Sequence, residues 1–160
     1  MIEAFVRRIC AEKGFVPVSE ASLPADARPP QIEFLGIRPY WGSIMSLGIL
    51  RADHRSERDW VALTDELYRF TSALRPLAGS VNGARLGSFG LLALLFFEGC
   101  SPQQIASVRS LKRGSAWRKD YLLSWACDLP AGRVHGHRGF PLVMYPGRRY
   151  IEAVIRGLAT

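Results

Sequence analysis

The feature that most limits the possible folds of this 160-residue chain is an uncharged apolar run near its centre, Phe89–Phe97. Successive side chains of a β-strand point to opposite faces of the sheet, and this run is apolar at both sets of positions. Such a strand needs apolar cover on both faces. The longest uncharged stretch around it, Leu86–Phe97, has 12 residues, whereas a helix that spans a bilayer needs about 20. The sequence therefore predicts a buried strand in a sheet covered on both sides.

Helical and strand patterns alternate before and after this run. Ser56 and Asp59 resemble a capping box at the start of an amphipathic helix, and Ser101 with Gln104 forms the same pattern later. Asp65 and Arg69 have the i,i+4 spacing of a helical ion pair. Asn82-Gly83 is a strong hairpin signal, because both positions of that turn need positive φ. The remaining predicted elements are helices at 1–14 and 148–158 and strands at 31–37, 43–50, 121–127 and 133–137.

The order of these elements predicts an α+β fold. Between residues 43 and 128 it is strand, helix, strand, strand, helix, strand, the order of a ferredoxin-like (split βαβ) antiparallel sheet with two helices on one face. The N- and C-terminal helices are then the candidates to cover the other face. We expect a single domain, 1–160, made of an N-terminal helix (1–14), a Pro-rich connection (15–40), a sheet-and-helix core (41–128), and a basic hairpin with a C-terminal helix (129–160).

The whole net charge of +7 lies in the last 62 residues. Residues 1–98 carry 11 Lys/Arg and 11 Asp/Glu, whereas residues 99–160 carry 10 Lys/Arg against three acidic residues, Asp120, Asp128 and Glu152. A one-sided positive field attracts polyanions and is screened by salt. This asymmetry predicts that a polyanionic partner binds the C-terminal third.

The cations cluster, and aromatic residues lie among them. Lys112–Lys119 holds four cations and Trp117, so that phosphates could bind the cations while Trp117 or Tyr121 stacks on a base. Arg148 and Arg149 open a helix, where the helix dipole disfavours positive charge. The alternative is a solvated basic surface with no partner. The predicted contact residues are Arg109, Lys112, Arg113, Trp117, Arg118, Lys119, Arg148 and Arg149.

The tripeptide His135-Gly136-His137 is the sharpest local motif. On a strand, residues two apart face the same way, so both imidazoles could reach one divalent metal ion. The motif resembles the HUH endonucleases, which nick single-stranded DNA. That resemblance implies a metal bound by His135 and His137 and a nucleophilic tyrosine, Tyr150, with Tyr145 as the alternative. The alternative without chemistry is an exposed hairpin edge with solvated histidines.

Further catalytic candidates are few. Cys100 precedes a predicted helix N-terminus, where a thiol pKa can fall, but a lone thiol there is more often a small residue that fits a turn. Cys10, Cys100 and Cys127 are odd in number and widely spaced, which indicates reduced thiols. The first residues lack a secretory apolar segment. We therefore expect a cytoplasmic protein that does not bind membranes.

Taken together, the sequence predicts a non-catalytic module that binds nucleic acid or another polyanion, without a cofactor. One alternative is an accessory or assembly subunit that docks an acidic protein. The other is a metal-dependent, HUH-like nuclease that acts on single strands. The sequence does not indicate an oligomeric state.

Overall fold

A computed structural model describes residues 1–18, 30–40, 43–73, 88–114, 120–136 and 146–159. Over these residues the chain forms four helices and one seven-stranded sheet. The elements, in chain order, are α1 (Ile2–Lys13), β1 (Val16–Pro17), β2 (Phe34–Tyr40), β3 (Ser43–Arg51), α2 (Glu57–Ala73), β4 (Ser88–Phe97), α3 (Pro102–Ser110), β5 (Arg113–Gly114), β6 (Asp120–Asp128), β7 (Arg133–His135) and α4 (Arg148–Ala159).

The sheet is open and mixed, and its main strand order is β1-β2-β3-β4-β6. Strands β3, β4 and β6 run parallel to one another, and β2 is antiparallel to both β1 and β3. Helices α2 and α3 connect the three parallel strands. Both β5 and β7 pair antiparallel with β6, β5 at Tyr121–Leu122 and β7 at Ala126–Asp128. Because β4 occupies the other side of β6, these two short strands share its outer edge.

The predicted α+β class is confirmed, but the prediction of an antiparallel sheet is wrong. A split βαβ arrangement would place another strand between the two strands that a helix connects. Here β3 and β4 are direct neighbours, as are β4 and β6, so the split arrangement is not confirmed. The predicted Asn82-Gly83 hairpin lies outside the described residues.

The prediction that both faces of the sheet are covered is confirmed. Along β4, side chains alternate between two separate apolar clusters, with Leu92, Leu94 and Phe96 in one and Leu91 and Leu95 in the other. The first cluster includes the apolar faces of α1 and α4, and the second includes those of α2 and α3. The terminal helices therefore supply the second layer, as predicted.

Local signals place the N-terminal ends of α2 and α3 and the C-terminal end of α1 where the sequence predicts them. The Ser101 hydroxyl accepts from the Gln104 amide at 3.1 Å, and the Gln104 side chain accepts from the Ser101 amide at 2.9 Å. Ser56 and Asp59 make the equivalent pair of bonds at α2. Gly14 ends α1 with φ +68°, a conformation that glycine adopts without steric cost. Within the described ranges, no helix combines the length and apolar character needed to cross a membrane.

Candidate polyanion-binding edge

Strand β7 positions two polar side chains at the edge of the sheet. Arg133 lies opposite Asp128 and His135 opposite Ala126, while Val134, between them, is fully buried. Val134 belongs to the cluster of α1 and α4, so the alternation of the strand turns Arg133 and His135 toward the opposite face, which α3 covers. Arg133 is exposed and His135 is half-buried.

The first turn of α4 is attached to β7 through Glu152. One oxygen of this carboxylate accepts from the Val134 amide and from Arg148 Nε, both at 3.0 Å. The other oxygen lies 3.5 Å from a terminal nitrogen of Arg156. Burial of Glu152 alone would raise its pKa, but the Val134 amide and Arg148 outweigh it, and the pKa is lowered. Glu152 thus holds Arg148 beside β7 from the α4 side of the sheet.

Positive charges from three elements act on the imidazole of His135. Its pKa is lowered first by burial, and the positive charges of Arg148, Arg109 and Arg133 lower it further, whereas Asp128 opposes them. Arg109 comes from α3 on one face of the sheet, Arg148 from α4 on the other, and Arg133 from the strand between them. We call Arg109, Arg133, His135 and Arg148 the basic edge.

The two carboxylates near the basic edge are engaged in the fold. Asp128 accepts from the Cys100 amide at 3.2 Å and from the Ala131 amide at 3.0 Å. Glu152 is shared between the Val134 amide and two arginines, as described above. Three guanidinium groups act on His135. They outnumber the two carboxylates, whose oxygens accept from backbone amides, and this edge of the sheet is therefore positive.

The structure brings together only part of the predicted contact set. Arg109 and Arg148 belong to the basic edge. Arg113, by contrast, forms an ion pair with Asp65 of α2, in which Nη2 donates to both carboxylate oxygens at 2.8 Å. Asp65 therefore does not pair with Arg69 as expected; instead Arg69 Nε approaches the Asp65 backbone oxygen at 3.4 Å. Lys112 and Arg149 are exposed. Trp117, Arg118 and Lys119 lie outside the described residues.

Two further corrections concern the residues expected to contact a partner. Tyr121 is only 7% exposed and packs in the cluster of α1 and α4, so the expectation that it stacks on a base is wrong. Arg133 was not among the predicted contacts, although it belongs to the basic edge. The signal that could have found it is the alternation of Arg133 and His135 with an apolar residue, Val134, next to a turn.

The residues of the HUH-like interpretation are only partly described. The Tyr150 hydroxyl donates to Glu12 at 2.7 Å, and burial together with Glu12 raises the pKa of Tyr150 to about 12, which disfavours the phenolate. His137 and Tyr145 lie outside the described residues. Among the residues that the structure describes, no three His, Cys, Asp or Glu side chains are grouped to hold a metal ion. The metal site at His135 and His137 stays a prediction.

Gly136, the middle residue of the His135-Gly136-His137 motif, has a structural role. A Cβ atom at this position would lie 2.0 Å from Trp125 Cδ1 and 2.5 Å from Trp125 Nε1. Trp125 is 1% exposed and fixed in the core, so it leaves no room for a side chain beside it. The glycine between the two histidines is therefore explained by packing against the indole ring.

The thiols are poor nucleophiles. Burial, and then the charges of Asp128 and Asp53, raise the pKa of Cys100 to about 12. Burial also raises the pKa of Cys10 and, well above its usual range, that of the fully buried Cys127. Raised pKa values leave little thiolate near neutral pH.

Comparison with known proteins adds no assignment, because no family model, curated protein or solved structure matches this chain. The basic edge is therefore the feature of this chain that bears on its function.

Proposed function

We propose that the basic edge binds the phosphate backbone of single-stranded nucleic acid. The observation that carries this proposal is that the positive charges of Arg109, Arg133 and Arg148, from three elements of the fold, all act on one side chain, His135. Like charges gathered in this way repel one another, and a bound anion relieves that repulsion. Arginine suits this task because its planar group can hold a phosphate through two hydrogen bonds.

The position at the edge of the sheet supports a linear partner. Arg109 belongs to the helical layer of α2 and α3, Arg133 to the sheet, and Arg148 to the layer of α1 and α4. Cations that come from both layers suit the repeating charge of a polynucleotide backbone better than a single small anion. Because phosphate contacts carry no sequence information, we expect binding with little base preference.

The test is a salt titration of binding to a fluorescein-labelled oligothymidylate, followed by fluorescence anisotropy. We expect the logarithm of the binding constant to fall linearly with the logarithm of salt concentration, with a slope of about −0.7 for each phosphate neutralised on a single strand. Arg133→Gln should weaken binding and make the slope shallower by about 0.7. Arg58→Gln, which removes an exposed arginine from α2, is the matched control. It should leave both the binding constant and the slope with salt concentration unchanged.

Two outcomes would contradict the proposal. A flat titration at low ionic strength would exclude nucleic acid and favour the alternative of an acidic protein partner. Equal losses in Arg133→Gln and Arg58→Gln would show that net charge alone, and not the basic edge, governs binding.

A further inference from the structure

A groove toward the other edge of the sheet from β7 combines apolar surface with charges of both signs. It has a volume of about 550 Å³ and lies where the first two turns of α1 pass the ends of β2 and β3. Small-molecule sites in proteins are of this size, mostly about 300–1,000 Å³. The groove is lined by Ile2, Glu3, Val6, Arg7, Glu33 and Arg51.

The lining combines an apolar wall with two charges of each sign. Ile2 and Val6 supply the apolar wall, and both pack on the cluster beneath α1. Glu33 is held in place, since its carboxylate accepts from the Arg51 amide at 2.7 Å and its own amide donates to the Ile49 carbonyl at 3.0 Å. The position of this carboxylate is thus set by the strand ends before any ligand arrives.

The four charged side chains of the groove are all exposed. Glu3 and Arg7 have the i,i+4 spacing of a helical ion pair, and Glu33 and Arg51 are neighbours across the end of a hairpin. Yet over the described residues, no ion pair within 4.0 Å joins any of the four. By contrast, Arg8 and Glu12, one turn further along α1, do pair at 2.8 Å. Both guanidinium groups and both carboxylates can therefore form ion pairs with a ligand.

This arrangement selects against ions of one sign. A polyanion that enters the groove meets Glu3 and Glu33, and a polycation meets Arg7 and Arg51. A ligand with one positive charge, one negative charge and an apolar part can contact an opposite charge with each of its charged groups and the apolar wall with the rest. We propose that the groove binds a zwitterionic ligand of amino-acid to dipeptide size, with its carboxylate toward the arginines, its ammonium toward the glutamates and its apolar side chain on Ile2 and Val6.

The groove is independent of the basic edge. Strands β4 and β6 separate β3 from β7, which makes about three inter-strand spacings, or roughly 14 Å. A failure of nucleic-acid binding would leave the proposal for the groove intact, and the reverse also holds.

The experiment measures binding of the dipeptide Leu-Leu to the full chain by isothermal titration calorimetry, in parallel with its N-acetylated form and its C-terminal amide. We expect Leu-Leu to bind, and each blocked form to bind about tenfold more weakly or worse, because each loses a charge-assisted contact. This comparison uses the unaltered protein and so does not depend on the folding of any variant.

Variants then locate the site. Arg51→Gln and Glu33→Gln should each weaken Leu-Leu binding about tenfold; glutamine at position 33 retains an oxygen that can accept from the Arg51 amide. Glu57→Gln and Arg58→Gln, on exposed positions of α2, are the matched controls and should not change it. No heat of binding up to about 10 mM Leu-Leu, equal binding of the blocked forms, or equal effects in the controls would each overturn the proposal.

Discussion

The hydroxyl of Tyr150 donates a 2.7 Å hydrogen bond to the carboxylate of Glu12, a residue 138 positions away in the chain. This bond joins α4 to α1, the two helices that together cover one face of the sheet. The ammonium group of Lys13 lies 4.1 Å from the centre of the Tyr150 ring and strengthens the same contact. A residue that the sequence suggests as a nucleophile thus has a structural role between the terminal helices.

Replacement of Tyr150 by phenylalanine tests this role. Tyr150→Phe keeps the ring but removes the donor, and the bond from Tyr150 is the largest cause that lowers the pKa of Glu12. We expect the pKa of Glu12 to rise toward its ordinary value, as measured by NMR of the side-chain carboxyl carbon. Arg8→Gln, which removes both the hydrogen bond and the positive charge of Arg8, should also raise it. An unchanged Glu12 pKa in Tyr150→Phe would contradict the contact.

Burial of the Tyr150 hydroxyl, together with its bond to Glu12, gives stability a defined dependence on pH. The pKa of Tyr150 is raised to about 12 in the folded protein, and that of an unfolded tyrosine is about 10. Its contribution to the free energy of unfolding is therefore complete below about pH 10 and lost as pH rises through about 12. Urea titrations at a series of alkaline pH values should show the wild type and Tyr150→Phe converging over this range.

The contact of Gly136 with Trp125 leads to a second prediction. In Gly136→Ala the new methyl group would overlap the indole ring, which is packed in the core and has little room to move. We expect a loss of about 1–3 kcal/mol in the free energy of unfolding. Gly147→Ala is the control, because no atom in the described part of the chain lies within 4 Å of a Cβ at that position. Chemical denaturation followed by tryptophan fluorescence measures both, and equal stabilities of the two variants would contradict the packing argument.

The features predicted correctly from the sequence depend on neighbours in the chain. The capping box at Ser101 and Gln104 involves four consecutive residues, and the double cover of Phe89–Phe97 follows from its own alternation. Strand order depends on pairing between distant segments, so the parallel neighbours β3, β4 and β6 could not be read from the order of elements. Asp65 is a similar case: its partner Arg113 is 48 positions away, beyond the helix that contains Asp65.

For the candidate site, too, composition could be read from the sequence, whereas contacts between distant segments could not. The excess of positive charge after residue 98 is a property of composition, and all four residues of the basic edge lie in this part of the chain. Which cations approach one another depends on the register of β7 with β6 and on the Glu152 contact that holds Arg148 there. Neither contact is encoded in a local pattern, and so Arg133 was not among the predicted contact residues.

Arg113 therefore provides a third prediction. Its side chain is 55% exposed and that of Asp65 is 32% exposed, so their ion pair contributes little to stability, about 1 kcal/mol at most. Because Arg113 is paired with Asp65 of α2 and does not belong to the basic edge, Arg113→Gln should weaken oligothymidylate binding far less than Arg133→Gln. Anisotropy titrations at one low salt concentration compare the two directly. Equal losses would show that the phosphate path includes Arg113.

The last prediction concerns the proton of His135. In the free protein, burial and the charges of Arg148, Arg109 and Arg133 lower its pKa, against the opposing effect of Asp128. A phosphate bound at the basic edge would offset the three positive charges, so the pKa of His135 should rise when oligothymidylate binds. By linkage, binding must then take up protons and become tighter as pH falls from neutral toward the lowered pKa.

NMR titration of the imidazole Cε1 proton, with and without saturating oligothymidylate, measures this shift. His135→Gln should remove most of the pH dependence of binding between about pH 5 and 7 while it leaves the slope with salt concentration close to that of the wild type. The exposed His54, next to β3, supplies a second imidazole signal in the same sample. If the pKa of His135 stays the same or falls when the oligonucleotide binds, the phosphates do not lie beside the three arginines, and the basic edge is not the binding surface.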